Sequence, residues 1–295
     1  MSSVLSRHER GGVSYLRGGS GTPLLLLHGI PGSAHSWEAA GERLSSSYDV
    51  IIPDLKGFGD STTLEHLDHD FYMEAHADAI HRFLEELGVQ AFFLGGHGFG
   101  GTVALTMLRF FPEHAVKGLV LCATNLFTNS SVQLPLRFAR APVLGPVFSW
   151  LVAGTRPGLW LIYWAAVHNK TMFRHADFQR HLTPSRIRQT RQILRRSLTD
   201  PQGKYKEIEK MLPHLDVPTL ILGGDRDPFF PVAEAKRLVR RLPYATLTIL
   251  DETGHFVPEE RPEMTAWHMD DFLRTPLKKT GKARPKRSTS SSGGT

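Results

Sequence analysis

Four consecutive leucines, Leu24 to Leu27, stand between Pro23 and His28 with no polar side chain among them. A surface helix needs a polar stripe and a half-exposed strand needs alternation. An unbroken apolar run this short reads instead as a strand buried on both faces. The pattern recurs at Val50-Ile51-Ile52-Pro53, Ala91-Phe92-Phe93-Leu94, Gly118 to Cys122, Thr219 to Leu222 and Thr246 to Leu250, and Val13 to Arg17 reads as a short edge strand. Helical segments lie between these runs. In one of them Met73, His76, Ile80, Phe83, Leu84 and Leu87 share a face at helical spacing. Strands alternating with helices imply right-handed βαβ crossovers and an α/β fold, a mostly parallel, doubly wound sheet covered on both sides.

The alternation breaks once. From about Leu126 to Leu212 there are only helix-like segments, punctuated by Pro135, Pro142, Gly154, Pro157 and Pro184. An insertion of that size after a central strand reads as a helical lid over the strand C-termini, where open α/β sheets bind ligands. It carries Phe127, Phe138, Phe148, Trp150, Trp160, Tyr163, Trp164 and Phe173. Most of these are expected to pack the lid itself, while two or three, with Trp160 and Trp164 foremost, line a pocket for a small apolar molecule. An aromatic face left exposed on the lid would serve a homodimer. The expected organisation is therefore residues 1–125 and 213–276 as the two parts of one core, 126–212 as the lid, and 277–295 as a tail.

The tail explains the charge. The chain of 295 residues has a formal net charge of +6, and Lys278, Lys279, Lys282, Arg284, Lys286 and Arg287 supply all of it, leaving the core neutral. The core is thus not expected to bind nucleic acid. The tail reads as a disordered, solubilising end or as an electrostatic contact for nucleic acid or anionic lipid. Its one cysteine, Cys122, excludes a disulfide framework and a Cys-based zinc site and fits a reducing, cytoplasmic compartment. No apolar stretch reaches the roughly 20 residues of a membrane span, and the first ten residues hold no apolar signal core.

Four motifs follow strands. His28-Gly29-Ile30-Pro31-Gly32 can aim the Ile30 N–H into a site. Asp54 to Ser61 reads as structural, with Asp54 accepting loop amides. Gly95-Gly96-His97-Gly98-Phe99-Gly100-Gly101 joins a buried strand to a helix. Gly224-Asp225-Arg226-Asp227-Pro228 and Gly254-His255-Phe256 deliver an acid and a histidine to the same sheet edge. The glycine-rich segment matches G-x-G-x-x-G only superficially, since it lies on a late strand and the next acid is Glu113. The scattered histidines show no His/His/carboxylate spacing of a metal site. Neither cofactor nor metal is expected.

Together the motifs resemble the α/β-hydrolase superfamily, in its order of oxyanion loop, elbow, lid, acid and histidine, and closest to lidded serine hydrolases and epoxide-hydrolase-like members. The resemblance implies a lid inserted after the sixth strand, His255 as base oriented by Asp227, and oxyanion donors at the N–H groups of Ile30 and Phe99. It implies Asp225 as a loop cap, and it surrounds the site with His28, Gly29, Trp37 and His97. One position departs from it. The elbow pattern Gly-x-Nuc-x-Gly puts the nucleophile at residue 98, which is glycine, and Ala91 to Phe111 holds no Ser, Cys or Asp.

Three readings fit a proton-handling pair beside a missing nucleophile. The chain is an enzyme whose His255–Asp227 pair acts as general base on water or on the substrate. Alternatively it is a non-catalytic binding or regulatory module, or a serine hydrolase from which the nucleophile was removed.

Overall fold

The computed structural model describes residues 4–62, 72–124, 126, 155–171, 187, 190–191 and 203–275. Most of the expected lid and the whole basic tail lie outside these residues.

The leucine run forms β3 (Thr22–Leu27), and Leu24 to Leu27 are completely buried. The burial has a simple cause: β3 is hydrogen-bonded in parallel to β4 (Tyr48–Pro53) on one side and to β5 (Ala91–His97) on the other. The sheet continues through β6 (Ala115–Cys122), β7 (Thr219–Gly224) and β8 (Ala245–Leu250), all parallel. At the other edge, β1 (Ser6–Arg10) and β2 (Val13–Gly18) add antiparallel. Among the described residues the sheet has eight strands in the order β1-β2-β4-β3-β5-β6-β7-β8.

The six strands expected from apolar runs and the strand at Val13 to Arg17 are all present, but the last, β2, is not an edge: it pairs with β4 on one side and with β1, an addition, on the other. The residues of β1, Ser-Arg-His-Glu-Arg, are all exposed, so nothing in their hydropathy marks a strand. The signal lies in the turn. Arg10 pairs with Val13 across Gly11 and Gly12, both with positive φ (57° and 69°), as a two-residue hairpin loop requires.

Helices α1 (His35–Leu44), α2 (Tyr72–Leu87) and α3 (Phe99–Phe110) cover the sheet. The face expected on α2 is the one buried: Met73, His76, Ile80, Phe83 and Leu84 are at most 2% exposed, and Leu87 packs against the same core. Helix α3 is buried from Phe99 to Met107, which suits a central helix with almost no polar face. Five further helices follow: α4 (Arg156–Ala166), α5 (Lys204–Met211), α6 (Val232–Arg241) and the one-turn α7 (Val257–Glu260), which runs into α8 (Pro262–Arg274).

Asp54 holds the loop after β4, as the sequence leads one to expect. Its fully buried carboxylate accepts the Ala34 N–H (2.6 Å) and the Asp60 N–H (3.0 Å), and receives the Arg7 guanidinium at 2.8 Å. Asp54→Ala should therefore lower the unfolding free energy by about 3 kcal/mol, because it orphans buried donors as well as Arg7. Arg7→Ala, which leaves both amide contacts in place, should lower it by less. Denaturant midpoints for the two variants check the order.

Candidate active site

β5 ends at His97 and α3 begins at Phe99, leaving Gly98 alone in the turn with φ 52° and ψ −116°. A residue with a Cβ adopts such a conformation only at a cost of about 1–3 kcal/mol, and glycine adopts it freely. The turn is pinned on both sides: Gly98 N donates to Cys122 O of β6 at 2.9 Å, and Gly98 O accepts from Gly101 N at 3.1 Å.

Its neighbours are glycine for want of room. A Cβ on Gly96 would lie 2.5 Å from Gly101 Cα, and one on Gly100 would lie 2.3 Å from Leu27 O. Position 98 is different. The nearest atoms to a Cβ built there are His255 Nε2 at 3.6 Å and Gly29 Cα at 3.7 Å, ordinary contact distances. Space does not impose glycine at 98, and a side chain there would face the imidazole of His255.

The histidine is set by a short chain of hydrogen bonds. Its Nδ1 lies 2.8 Å from Asp227 Oδ2, and the other carboxylate oxygen accepts the N–H groups of Phe229 (2.7 Å) and Phe230 (2.9 Å). A carboxylate can only accept, so Nδ1 carries a proton, and the ring turns its Nε2 toward position 98. The Asp227 side chain is wholly buried, while His255 keeps 12% of its own exposed. Phe229 meets the imidazole edge-on at 5.2 Å. Asp225 caps the loop, accepting the Thr253 N–H at 3.2 Å.

The backbone of His255 is held as firmly as its ring. Its N–H donates to Ala166 O at the end of α4 (2.9 Å), and its carbonyl accepts from His97 Nε2 (2.9 Å). Tyr163 of α4 packs on Phe256 at 4.3 Å, and its hydroxyl donates to Glu259. Glu260, a residue the sequence reading missed, completes the clamp. Its Oε2 accepts from Gly254 N (3.2 Å), His168 N (2.9 Å) and Asn169 N (3.3 Å), so one buried carboxylate ties the histidine loop to the chain leaving α4. Burial raises its pKa against the pull of those three N–H groups. A glutamate two residues after a Val-Pro pair carries no sequence signal for this role.

The other expected site residues divide. Gly29 lies against His97, and a Cβ on it would meet His97 Nδ1 at 2.7 Å; Ile30 follows, half-buried against the core. His28 is buried in the scaffold: its Nδ1 donates to Gly29 O (2.8 Å) and its Nε2 accepts the Leu55 N–H (3.0 Å). Trp37 is buried with its indole N–H on Leu27 O (3.0 Å). Both shape the loop from behind instead of facing a substrate. Trp160 packs on the small cluster of Leu159, Tyr163 and Phe256, whereas Trp164 is exposed and carries the Lys170 ammonium 4.2 Å over its ring. Cys122 is fully buried, and burial pushes its thiol well above the usual range, so it offers no thiolate.

Residues 22–262 match the model of the alpha/beta hydrolase fold family, and the chain belongs to that family. Among its relatives, the uncharacterized hydrolase YugF of Bacillus subtilis is 27% identical over 251 residues, covering 85% of this chain and 89% of that protein. Epoxide hydrolase 4 of Mus musculus is 27% identical over 285 residues, covering 87% of this chain and 74% of its own. The solved structure of a putative lipase from Acinetobacter baumannii AYE superposes with a TM-score of 0.78 at 26% identity, over 92% of this chain and 91% of that one.

Two buried histidines near the turn make stability pH-dependent. Burial lowers His97 to about 4, with His255 adding to the effect, and lowers His76 to about 3, against 6.5 when exposed. His76 lies in ring contact with Phe99 at 5.4 Å. Each folded-state value is depressed, and it is the neutral ring that folding favours. The contribution is therefore complete above pH 6.5 and is lost as pH falls toward 4 and 3, by about 1.4 kcal/mol per histidine per pH unit. Urea midpoints should drop across this window, and His76→Leu should flatten the drop. An equally steep profile in that variant would contradict the assignment.

Proposed function

We propose that this chain is a cofactor-independent hydrolase of small apolar ester-, lactone- or epoxide-like molecules, in which His255, oriented by Asp227, activates water instead of a side-chain nucleophile. The observation that carries the reading is the geometry at residue 98. An intact His–Asp pair turns its free nitrogen to a position where a Cβ would be 3.6 Å away and where the chain supplies only backbone. The names of two relatives, an epoxide hydrolase and a putative lipase, support the substrate classes.

For an ester, water in that space gives its proton to His255 Nε2 as its oxygen attacks the carbonyl carbon. The charge that develops on the carbonyl oxygen falls to the N–H groups of Ile30 and Phe99, the latter at the positive end of α3. Collapse of the tetrahedral intermediate breaks the bond to the alkoxide, which takes the proton back from the imidazolium. The products are a carboxylic acid and an alcohol, and no covalent enzyme intermediate forms. Helix α4, whose Ala166 O and Tyr163 hold the histidine loop, is the described part of the proposed lid. General-base assistance supplies about 10²–10⁴-fold, enough for activated esters and strained rings and not for amides.

Hydrolysis of p-nitrophenyl acetate should accordingly be slow, linear from the first turnover and free of a burst. His255→Ala should reduce the rate by about 10²-fold or more. An unchanged rate in that variant would sink the proposal, and tight ligand binding without product would favour a binding module. Gly98→Ser should introduce a burst and labelling by fluorophosphonate at that position, since the new side chain meets Nε2 without a clash. It should also lose about 1–3 kcal/mol of stability to the strained φ. Absence of labelling in a folded variant would show that residue 98 is not the apex of the site.

A further inference from the structure

At the other end of the parallel strands, the turn before β6 brings His114 and Glu113 against His81 of α2. The sequence gives no hint of this, because the histidines are 33 residues apart and belong to different elements. His81 Nδ1 lies 2.9 Å from His114 Nε2 and 3.7 Å from Glu113 Oε1, and one ligand atom from each residue fits within 4.8 Å of the others. On the far side of the His81 ring, Nε2 faces Glu85 Oε2 at 3.6 Å. We propose that His81, His114 and Glu113 form a binding site for one divalent transition-metal ion, with Glu85 orienting His81 from behind.

The donor set selects the ion. Imidazole nitrogens with a carboxylate suit zinc, copper(II) and nickel(II), not calcium or magnesium, which take oxygen ligands. The nitrogens are close enough to share an ion, but ring centroids 5.1 Å apart show that their lone pairs face each other, so each ring tilts for both to point at it. Two nitrogens 2.9 Å apart, each ~2.05 Å from an ion, subtend an angle of about 90°, that of neighbouring ligands in a tetragonal site; a tetrahedral one asks for a few tenths of an ångström more.

Both rings are packed against neighbours. His81 stacks on Phe111 at 4.0 Å with planes 10° apart, and His114 meets Phe92 edge-on at 5.4 Å. The Ala115 N–H on Gln90 O (2.9 Å) ties the turn to the residue that precedes β5.

Without metal, one imidazole donates a single proton to the other. On binding, a proton on His81 Nδ1 shifts to Nε2, where it faces the Glu85 carboxylate. Both facing lone pairs are then available to the ion. A carboxylate behind a ligating histidine is the usual means of fixing its tautomer, and losing one weakens metal binding about 10–100-fold. The carboxylates of Glu85 and Glu113 also offset the charge of the cation.

The test uses the full chain after chelator treatment, titrated with Zn²⁺ by calorimetry and with Cu²⁺ by electron paramagnetic resonance. One equivalent should bind, nitrogen couplings should appear in the copper spectrum, and Zn²⁺ should raise the melting temperature. His114→Gln should abolish all three, Glu85→Gln should weaken Zn²⁺ at least about tenfold, and His35→Gln, at a separate His–Glu pair, should change nothing. No saturable binding, or binding that survives His114→Gln, overturns the site; undiminished affinity in Glu85→Gln removes the orienting role of Glu85. Esterase activity enters none of these readouts, so failure here is separate from failure of the proposed hydrolysis.

Discussion

The turn between β5 and α3 presses against the carbonyl oxygens that end β3, and the architecture of the site follows from that contact. Gly100 sits so close to Leu27 O and His28 O that a single methyl group would force strand and helix apart. Leu27 O also accepts the Trp37 indole N–H, which ties α1 to the same point. The approach brings the turn at Gly98 beside Gly29, whose Cα lies 3.7 Å from a Cβ built on residue 98. Steric necessity explains Gly96, Gly100 and Gly101, whose Cβ atoms would lie within 2.5 Å of a neighbour. It does not explain Gly98. There the gain from glycine is conformational: a positive φ adopted without strain, on the order of 1–3 kcal/mol.

Electrostatics complete what packing begins. Asp227 is buried and would be costly alone, but two backbone N–H groups and the His255 imidazole satisfy it. His97 stands beside His255 with ring centroids 5.0 Å apart, and burial keeps it neutral. A second cation there would oppose the imidazolium that the proposed general-base step requires of His255. The His97 contribution is thus structural, a donor to the His255 carbonyl, and electrostatic by its silence. Glu260 does for the backbone what Asp227 does for the ring, with three N–H groups converging on one oxygen. Because those donors come from both the histidine loop and the segment after α4, movement of α4 and movement of His255 are mechanically linked.

Hydropathy made the core strands legible, because a strand hydrogen-bonded on both sides and covered on both faces can hold little but apolar residues. It missed β1 for the complementary reason: an exposed edge strand buries nothing, and only the Gly11-Gly12 turn betrays it. Loop motifs identified Asp227 and His255 because the acid and the base follow strands at a shared edge. The same adjacency misled on His28 and Trp37. Both belong to or follow the loop after β3, but which way a side chain faces is decided by the partners it finds, Gly29 O and Leu55 N for one and Leu27 O for the other. Glu260 and the His81–His114 pair were invisible for a deeper reason. Their meaning arises from elements brought together by folding, and local spacing carries no trace of it.

What remains is the chemistry that a backbone apex permits. A hydroxymethyl side chain and a water molecule occupy volumes of the same order, a water's share of the liquid being ~30 Å³. Replacing the first by the second keeps an oxygen opposite Nε2 while giving up the covalent intermediate. A fixed alkoxide precursor is lost, and with it the effective concentration that a tethered group provides. Yet the base, its orienting carboxylate and the helix end keep their alignment, and these are the parts that act on the transition state of water attack. The loss falls hardest on poor leaving groups, whose expulsion depends on a well-advanced tetrahedral intermediate. Strained rings and activated esters need less, so under the proposed water attack a backbone apex at 98 would narrow the range of substrates before it abolished turnover.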